Sequence, residues 1–410
     1  MQPLLGLIAF IALAWALSLD RRAFPWRIVI TGLALQFILA FLILHTAPGI
    51  AFFASLDSAF NTLLKFANEG TSMVFGPLAN TALITEKWGP QNAFIFAVTV
   101  TGTIIFVSAL SSALYHYGIL QLIVRAAAFV MAKVLGTSGS ETLAAAANIF
   151  MGQTEAPLVI KPYLNTMTRS ELLALMIGGM ATIAGGVLAA YVAFGISAGH
   201  LLTASVISAP AALMMAKILL PEKEISPTRL GAPAQVEKLS VNGIDAICTG
   251  ASDGMTLSIN VMAMLIAFVA TVALLNHFLS LALGWVGADV AQPLQLVLGW
   301  VQAPFAWLMG VPASECVSAG AILGERIVLN EFVGYLSLSQ QMETLSPKTT
   351  VILTYALCGF ANFSSIAIQI GGIGALAETR RADLARLGLR AMIGGLLACY
   401  CTACIASLLS

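Results

Sequence analysis

Two glutamates stand in apolar stretches of the chain, where a charged side chain is costly. Glu155 lies in NIFMGQTEAP, residues 148–157, directly after a run of alanines, and Glu331 lies in a similar apolar setting 176 residues later. A charge at the centre of a bilayer costs about 3 kcal/mol or more, so both glutamates are candidate functional residues. Their matching places in the two halves of the chain predict a transporter built from an internal repeat.

Polar groups that suit a neutral, hydroxyl-rich ligand accompany the two glutamates. They are Gln153, Thr154, Asn362, Ser364 and Ser365. Amides and hydroxyls both donate and accept hydrogen bonds, while the carboxylates of Glu155 and Glu331 accept them from sugar hydroxyls. Phe360 offers a face to an aromatic ring. These residue types predict a ligand that carries a sugar and a heteroaromatic ring.

A cation site is a second interpretation of the same region. Asn148 and Thr182 supply side-chain oxygens, and carbonyls at interrupted helices supply further oxygen ligands for Na⁺. The same two side chains would also serve to hold helices together through hydrogen bonds. The residues alone leave both interpretations open.

The composition defines the class of protein to which these residues belong. Of 410 residues, 59% are apolar and 9% are charged, against about 25% charged in soluble domains. We therefore predict an integral membrane protein, and the net charge of zero argues against nucleic-acid binding through a basic face. The first apolar run, 2–18, is followed and not preceded by positive charge, which predicts a retained helix with its N-terminus outside.

Eight apolar runs approach or exceed the roughly 20 residues that a membrane-spanning helix needs. They lie near 2–18, 28–46, 92–116, 171–196, 200–219, 258–283, 348–370 and 388–409. Two further stretches, 138–165 and 303–342, are apolar but interrupted by Gly, Pro and small polar residues, and we interpret each as a re-entrant hairpin. Residues 52–67 have the pattern of an interfacial helix, and 221–240 form a hydrophilic loop. The predicted fold is all-α and polytopic, with eight transmembrane helices.

The two hairpins are predicted to enter the membrane from opposite sides, as in an inverted repeat. With the N-terminus outside, most Lys and Arg residues fall inside, in agreement with the positive-inside rule. Those that fall outside are Lys65, Lys87, Arg326 and Lys348. Gly-x-Ala-polar elements at 179–182 and 359–362 precede the stretches 183–186 and 363–365, which we expect to be unwound. The spacing of these elements is close to that of the two glutamates.

Three other classes of membrane protein compete with a secondary transporter. An intramembrane enzyme would use Glu155 and Glu331 as acid and base, but the chain has neither H-E-x-x-H nor G-x-S-x-G. An ATP-driven pump would carry G-x-x-x-x-G-K-[ST], which is also absent from the sequence. A passive channel is not distinguished by the sequence, and a test of accumulation against a gradient is needed to separate it from a transporter.

Three motifs resemble those of the concentrative nucleoside transporters. They are GQTEAP at 152–157, NEF at 330–332 and GFANFSSIAI at 359–368, and the similarity extends over essentially the whole chain. The resemblance implies a bacterial secondary active symporter that couples inward Na⁺ flow to nucleoside uptake by an elevator-like movement, with a proton-coupled symporter as the alternative. It also implies a homotrimer in the bacterial inner membrane, with Na⁺ as the coupling ion and no other cofactor.

The resemblance further implies the site residues. Those for the nucleoside are Gln153, Thr154, Glu155, Val187, Leu257, Glu331, Phe360, Asn362 and Ser365. Gln153 and Thr154 would bind the base, while Glu331 and its partners in the second broken helix would hold the ribose. The family's sodium site falls on Asn148, Met151, Thr182 and Ile183. The two apolar members of that set would act through their backbone carbonyls.

A scaffold and a mobile transport domain are implied in the same way. We expect scaffold helices with the interfacial helix in 1–116 and the first repeat of the transport domain in 117–220. Residues 221–285 would supply a cytoplasmic loop and a scaffold helix, and 286–410 the second repeat. The expected partners are a nucleoside, Na⁺, the lipid bilayer and two further copies of the chain.

Overall fold

The chain is helical throughout the part that the computed structural model describes, which is residues 1–89, 95–229, 240–285, 290 and 292–409. No β-strand occurs within these ranges, so the prediction of an all-α chain is confirmed. Of the hydrophilic loop predicted at 221–240, residues 230–239 lie outside the described ranges. The helices are α1 (Gln2–Ala16), α2 (Trp26–His45), α3 (Ala47–Phe75), α4 (Thr81–Trp88), α5 (Phe96–His116), α6 (Ile119–Leu135), α7 (Gly139–Asn148), α8 (Ala156–Val159), α9 (Arg169–Ala181), α10 (Gly185–Ala193), α11 (Ala198–Leu219), α12 (Gly243–Gly284), α13 (Pro293–Met309), α14 (Cys316–Val328), α15 (Glu331–Gln341), α16 (Pro347–Leu357), α17 (Phe363–Leu376) and α18 (Arg381–Leu409).

Six helical segments in the described part of the chain are long and apolar enough to cross a membrane. They are Trp26–His45, Phe96–His116, Arg169–Ala193, Ala198–Leu219, Gly243–Gly284 and Glu378–Leu409. Three of the eight predicted spans are not single long helices. The helix α1 has 15 residues, the run near 171–196 is divided between α9 and α10, and the run near 348–370 is divided between α16 and α17. Membrane-spanning helices are therefore present, and their number stays a prediction.

Each of the two interrupted stretches contains a pair of helices. In the first, α7 ends at Asn148 and α8 begins at Ala156, while in the second α14 and α15 are separated by two residues. The start that we predicted for the second stretch, 303, is wrong because α13 continues to Met309. The helix α13 ends at Gly310, whose φ of 100° lies in the left-handed region that glycine adopts at helix ends.

Two helices in the first half of the chain differ from the sequence prediction. The interfacial helix predicted at 52–67 is longer, because α3 has 29 residues and continues on both sides of that range. Thr46 caps its start by accepting a hydrogen bond from the backbone N–H of Gly49, and Gly76 ends it with a φ of 56°. The amphipathic helix α6, which precedes the first hairpin, was not predicted.

The breaks in the two interrupted helices do not coincide with the stretches predicted to be unwound. Residues 182–184 separate α9 from α10, and residues 358–362 separate α16 from α17. The predicted positions, 183–186 and 363–365, are therefore partly or wholly wrong. The reason in the second case is Asn362, whose side chain accepts a hydrogen bond from a backbone N–H in the first turn of α17 at 2.9 Å and so starts the helix there.

The same order of elements occurs twice along the chain. A helix, two hairpin arms, a broken helix and a long helix occur first as α6–α11 and again as α13–α18. In each copy the first hairpin arm packs on the broken helix, α7 on α9 and α14 on α16, and α18 packs on both α9 and α16. This order agrees with an internal repeat, while the opposite orientation of its halves stays a prediction.

The core of the molecule lies where these two copies meet. In the most apolar windows of Arg169–Ala193, Ala198–Leu219 and Glu378–Leu409, 89%, 89% and 83% of the residues are buried. The long helix α12 is different, because only 11% of its window is buried and it packs chiefly on α5. An apolar helix with so much exposed surface is expected to face lipid or another protein subunit.

Candidate substrate and cation sites

Glu331 is a buried carboxylate with two side-chain partners. It opens α15 directly after Asn330, which caps that helix. Asn362 Nδ2 donates a hydrogen bond to Glu331 Oε2 at 2.7 Å, and the Tyr191 hydroxyl donates to Oε1 at 3.4 Å. Glu331 is 4% exposed and Asn362 is 1% exposed. The carboxylate is thus held in a defined position, with lone pairs left over to accept hydrogen bonds from a ligand.

Gln153 connects the tip of the first hairpin to the second broken helix. Its Nε2 donates to Ser365 Oγ at 3.2 Å, and the backbone N–H of Ser365 in turn donates to Asn362 Oδ1 at 2.9 Å. Gln153 Oε1 is buried and has no hydrogen-bond partner among the described residues. The predicted base-binding and ribose-binding residues therefore meet in one cluster, which contains an unused amide acceptor.

The other predicted residues of the first tip, Thr154 and Glu155, are exposed. Glu155 Oε2 accepts a hydrogen bond from the backbone N–H of Gly152 at 3.0 Å, which stabilises the turn between α7 and α8. A Cβ added to Gly152 would lie 3.2 Å from the side chain of Ala184 in the first break, and one added to Gly372 of α17 would lie 3.0 Å from Thr154 Cγ2. The tip therefore contacts both broken helices.

Three apolar residues were predicted to line the substrate site, and the structure places them on three different elements. Val187 is buried in the first turn of α10, Phe360 is 8% exposed in the second break, and Leu257 is half-buried on α12. A Cβ added to Gly186 would lie 3.9 Å from Leu257 Cδ2 and 3.0 Å from Ser108 Oγ of α5. Leu257 thus faces the start of α10, next to Val187.

The predicted cation ligands converge on the end of α9. Asn148 is 1% exposed, and neither its Oδ1 nor its Nδ2 has a hydrogen-bond partner in the described part of the chain. A Cβ added to Gly178 would lie 2.8 Å from Asn148 Nδ2, and Thr182 Oγ1 donates to the carbonyl of Gly178 at 2.9 Å. Met151 and Ile183 are buried. This donor set consists of oxygens, which suits a hard cation such as Na⁺.

The sequence analysis missed three residues of this region. Tyr191 contacts Glu331 as described, and Ser108 faces Gly186. Gln369 of α17 donates from Nε2 to the carbonyl of Met176 at 3.0 Å, and its Oε1 is buried without a described partner. Gln369 was detectable, because it is a buried amide in an apolar helix one turn after Ser365. Tyr191 and Ser108 carry no comparable signal, since such residues are common in membrane helices.

Two acidic residues of the second hairpin have structural partners. Glu315 accepts a hydrogen bond from the Ser346 hydroxyl at 3.0 Å. Glu325 accepts one from the Ser337 hydroxyl at 2.6 Å and one from the side-chain amide of Gln295 at 3.3 Å. Arg326 itself is 0% exposed. It therefore does not belong among the charges outside the membrane, where the sequence analysis placed it under the positive-inside rule.

A cavity beside the second hairpin does not coincide with this polar cluster. It has a volume of about 600 Å³ and lies between α12, α13, α14 and α15, where Gln295, Glu325 and Ser337 are among its lining residues. None of the predicted substrate or cation residues is among the residues described as lining it. We assign the candidate site to the Glu331 cluster because the buried, partly unpaired polar groups are found there.

Three protein families match consecutive parts of the sequence. The family described as "Na+ dependent nucleoside transporter N-terminus" matches residues 5–78, "Nucleoside recognition" matches 97–198, and "Na+ dependent nucleoside transporter C-terminus" matches 200–407. The chain belongs to the concentrative nucleoside transporter family. It is therefore a transporter and not an enzyme, and the acid–base role considered for the two glutamates is excluded.

Proteins from bacteria and animals are similar to this chain over nearly all of its length. An uncharacterized transporter of Haemophilus influenzae is 43% identical, and the alignment covers 100% of this chain and 97% of that protein. The nucleoside permease NupC of Helicobacter pylori is 40% identical over 98% of this chain and 96% of its own length. Sodium/nucleoside cotransporter 1 of Mus musculus is 39% identical over 98% of this chain and 63% of its own length.

Solved structures of a transporter named CNTnw have the same fold. The inward-facing, substrate-bound structure is 40% identical, with a TM-score of 0.93 and coverage of 100% of this chain and 97% of that one. An outward-facing structure of a CNTnw variant is 39% identical with a TM-score of 0.94, again over 100% and 97% of the two chains. The membership of this chain in the family, predicted from its motifs, is thus confirmed.

Proposed function

We propose that this protein is a symporter that uses an inward Na⁺ gradient to accumulate nucleosides of the uridine, cytidine or adenosine type. The cluster formed by Gln153, Ser365, Asn362 and Glu331 supports this function more than any other observation. It joins the first hairpin to the second broken helix through a hydrogen bond of 3.2 Å and that helix to Glu331 of the second hairpin through one of 2.7 Å, while a bond of 2.9 Å links Ser365 to Asn362. It combines a carboxylate, two amides and a hydroxyl, which is the set of groups that a nucleoside requires.

The two ends of the cluster fit the two parts of a nucleoside. Glu331 and Asn362 would hold the ribose, since a carboxylate accepts hydrogen bonds from vicinal hydroxyls and an amide both donates and accepts. Gln153 and Thr154 would bind the base, and Gln153 Oε1 has no partner among the described residues that it would have to give up. Val187, Phe360 and Leu257 would enclose the ring.

The coupling ion would bind at the end of α9. Asn148 and Thr182 would provide side-chain oxygens, and Met151 and Ile183 would provide backbone carbonyls. The two amide atoms of Asn148 are buried and have no hydrogen-bond partner among the described residues. A neutral amide oxygen binds Na⁺ without any change of protonation. We expect Na⁺ to bind first and to order the first hairpin tip, which raises the affinity for the nucleoside by the same factor as the nucleoside raises that for Na⁺.

Alternating access would follow from an elevator-like movement. The hairpins and broken helices would form the transport domain, which would slide against a trimeric scaffold that includes α12. The exposed apolar surface of α12 supports its assignment to the scaffold. The protein would lie in the bacterial plasma membrane with its N-terminus outside, through eight spans and two re-entrant hairpins of opposite orientation.

Uptake into proteoliposomes tests the proposed function directly. Radiolabelled uridine is measured with an inward Na⁺ gradient, with an inward H⁺ gradient in K⁺ buffer, and without a gradient. Accumulation that requires Na⁺ is the expected result. Accumulation driven by H⁺ alone would refute Na⁺ coupling but keep nucleoside transport, and equilibration without accumulation would indicate a channel. No uptake of uridine, cytidine or adenosine would refute the substrate assignment.

A further inference from the structure

The two breaks lie back to back in the core of the molecule. A Cβ added to Gly359, in the second break, would lie 2.6 Å from the carbonyl oxygen of Met180 in the last turn of α9. Cys399 of α18 lies between them, since its thiol donates to the carbonyl of Cys358 at 3.3 Å and lies 3.7 Å from that of Ala181. The C-terminal ends of α9 and α16 therefore point at the same buried region.

Two helix ends that meet in an apolar core create an electrostatic problem. The last carbonyls of a helix lack partners within it, and the end carries about half a negative charge. Water solvates such ends at a protein surface, but the carbonyls here are surrounded by residues that are fully buried, including Ala356, Ala361 and Ala181. Each end thus requires a donor or a positive charge from within the protein or from a ligand.

In the second repeat, a guanidinium supplies both donors and a positive charge. Arg326 donates from Nη1 to the carbonyl of Ala356 at 2.5 Å, and from Nη2 to the carbonyl of Gly359 at 3.2 Å and to Cys399 Sγ at 3.3 Å. Arg326 is 0% exposed, and no carboxylate forms an ion pair with it within the described residues. Its charge is therefore directed at the carbonyls at the end of α16.

In the first repeat, no cationic side chain occupies the corresponding place among the described contacts. Asn148 stands near the end of the first hairpin arm, as Arg326 does in the second, and each arm packs on the broken helix of its own repeat. Neither of the two amide atoms of Asn148 has a hydrogen-bond partner among the described residues. The end of α9 thus has oxygen ligands where the end of α16 has a guanidinium.

We propose that the Arg326 guanidinium acts as a permanently bound cation at the second break. It occupies the position that corresponds to the exchangeable cation at the first break. This inference rests on the proposed sodium site at Asn148 and Thr182. The guanidinium neutralises the end of α16 permanently and excludes a second Na⁺ from it. Each chain then carries one exchangeable cation, and only the first break depends on that ion for its order.

Substitution of Arg326 separates its charge from its volume. Purified wild type, Arg326→Met, Arg326→Lys and Arg326→Ala are compared by thermal unfolding in choline buffer and by uridine uptake in Na⁺ buffer. We expect Arg326→Met, which keeps much of the volume, to lower the midpoint and the uptake strongly, and Arg326→Lys to recover part of both. The proposal would be overturned if Arg326→Met had the unfolding midpoint and the uridine uptake of the wild type.

Chemical rescue identifies the missing group as a cation. In Arg326→Ala, low concentrations of guanidinium are expected to raise the unfolding midpoint, while urea, which has a similar shape without charge, is not. Arg380→Ala is the matched control, because Arg380 also donates to a carbonyl, that of Met167 at 2.5 Å, but is only half-buried, so water can replace it. Equal effects of guanidinium and urea on Arg326→Ala would overturn the proposal.

The wild type provides a test that does not depend on the folding of any variant. The reversal potential of uridine flux in proteoliposomes is expected to give one Na⁺ per nucleoside, and a ratio of two would overturn the proposal. A wild type that transports without Na⁺ would refute the proposed coupling, but the unfolding midpoints would still test whether Arg326 acts as a cation. Failure of the inference and failure of the proposed function are therefore distinguishable.

Discussion

The two broken helices have the same place in their repeats but differ in how their polar groups are paired. At the second break, Asn362 bonds to Glu331 and Arg326 bonds to the carbonyls that end α16. At the first, both amide atoms of Asn148 are buried without described partners, and Thr182 bonds back to its own helix. Because buried polar groups in native proteins are almost always paired, the first break is the one that a ligand is expected to complete.

This difference explains how one fold can respond to an ion at one place and remain fixed at another. The second break is stabilised by side chains of the protein, so we expect it to keep its geometry during transport. Under the proposed function the first break would gain its missing contacts from a bound cation, so we expect its order to depend on the ion concentration. A ligand shifts a conformational equilibrium only as far as its affinities for the two states differ.

The largest effect is expected from removing the charge of Glu331, whose carboxylate is hydrogen-bonded to Asn362 of the second break. Glu331→Gln keeps the shape of the side chain but loses the charged acceptor, and hydrogen bonds to charged groups contribute about 1.5–3 kcal/mol. We expect kcat/KM for Na⁺-driven uridine uptake to fall roughly 10- to 100-fold. The measurement is initial uptake in proteoliposomes at several uridine concentrations.

Glu325→Gln is the matched control for that experiment. Glu325 is also a buried glutamate, 8% exposed, but its partners are Ser337 and Gln295 and not residues of the cluster. Its uptake is expected to stay close to that of the wild type. Equal losses in the two variants would show that Glu331 stabilises the hairpin and does not bind the ribose.

The second-largest effect concerns the unpaired amide of the first break. Asn148→Ala removes a proposed ligand, and we expect the Na⁺ concentration for half-maximal uptake to rise roughly tenfold, which corresponds to about 1.4 kcal/mol. The unfolding midpoint in choline buffer is expected to stay equal or to rise, because a buried unpaired amide is itself destabilising. If the Na⁺ dependence of uptake is unchanged in Asn148→Ala, the ion binds elsewhere. Asn165→Ala, at an exposed asparagine, serves as the control.

Some of this comparison could be predicted from the sequence, and some could not. Glu155 and Glu331 stood out because charge is rare in apolar segments, and the motif around Asn362 indicated the family. Pairing could not be predicted, because it depends on contacts between residues far apart in the chain, such as Gln153 with Ser365. The burial of Arg326 was missed for the same reason, since its partners lie in α16, the second break and α18.

A smaller effect is expected from Gln153, which connects the first hairpin tip to the second broken helix. Gln153→Ala loses the bond to Ser365 and the free acceptor Oε1, and neutral hydrogen bonds contribute about 0.5–1.5 kcal/mol, or roughly 2- to 10-fold in affinity. We expect KM to rise by this factor and the ratio of KM for uridine and adenosine to change, because Gln153 would contact the base. Gln340→Ala, at an exposed glutamine of α15, is the control. A KM ratio that stays constant would exclude Gln153 from base recognition.

The smallest effect comes from narrowing the first break without removing a ligand. A Cβ at Gly178 would lie 2.8 Å from Asn148 Nδ2, so Gly178→Ala must displace the amide. Gly371→Ala on α17 is the control, because a Cβ there would meet no atom within 4 Å. It gives the same change in helix propensity, about 1 kcal/mol in favour of alanine. We expect the half-maximal Na⁺ concentration to rise about two- to threefold in Gly178→Ala alone, since a displaced oxygen binds the ion less tightly. If both variants have the Na⁺ dependence of the wild type, the amide of Asn148 is not a ligand at this position, and the contrast between an ion-dependent and a self-sufficient break is lost.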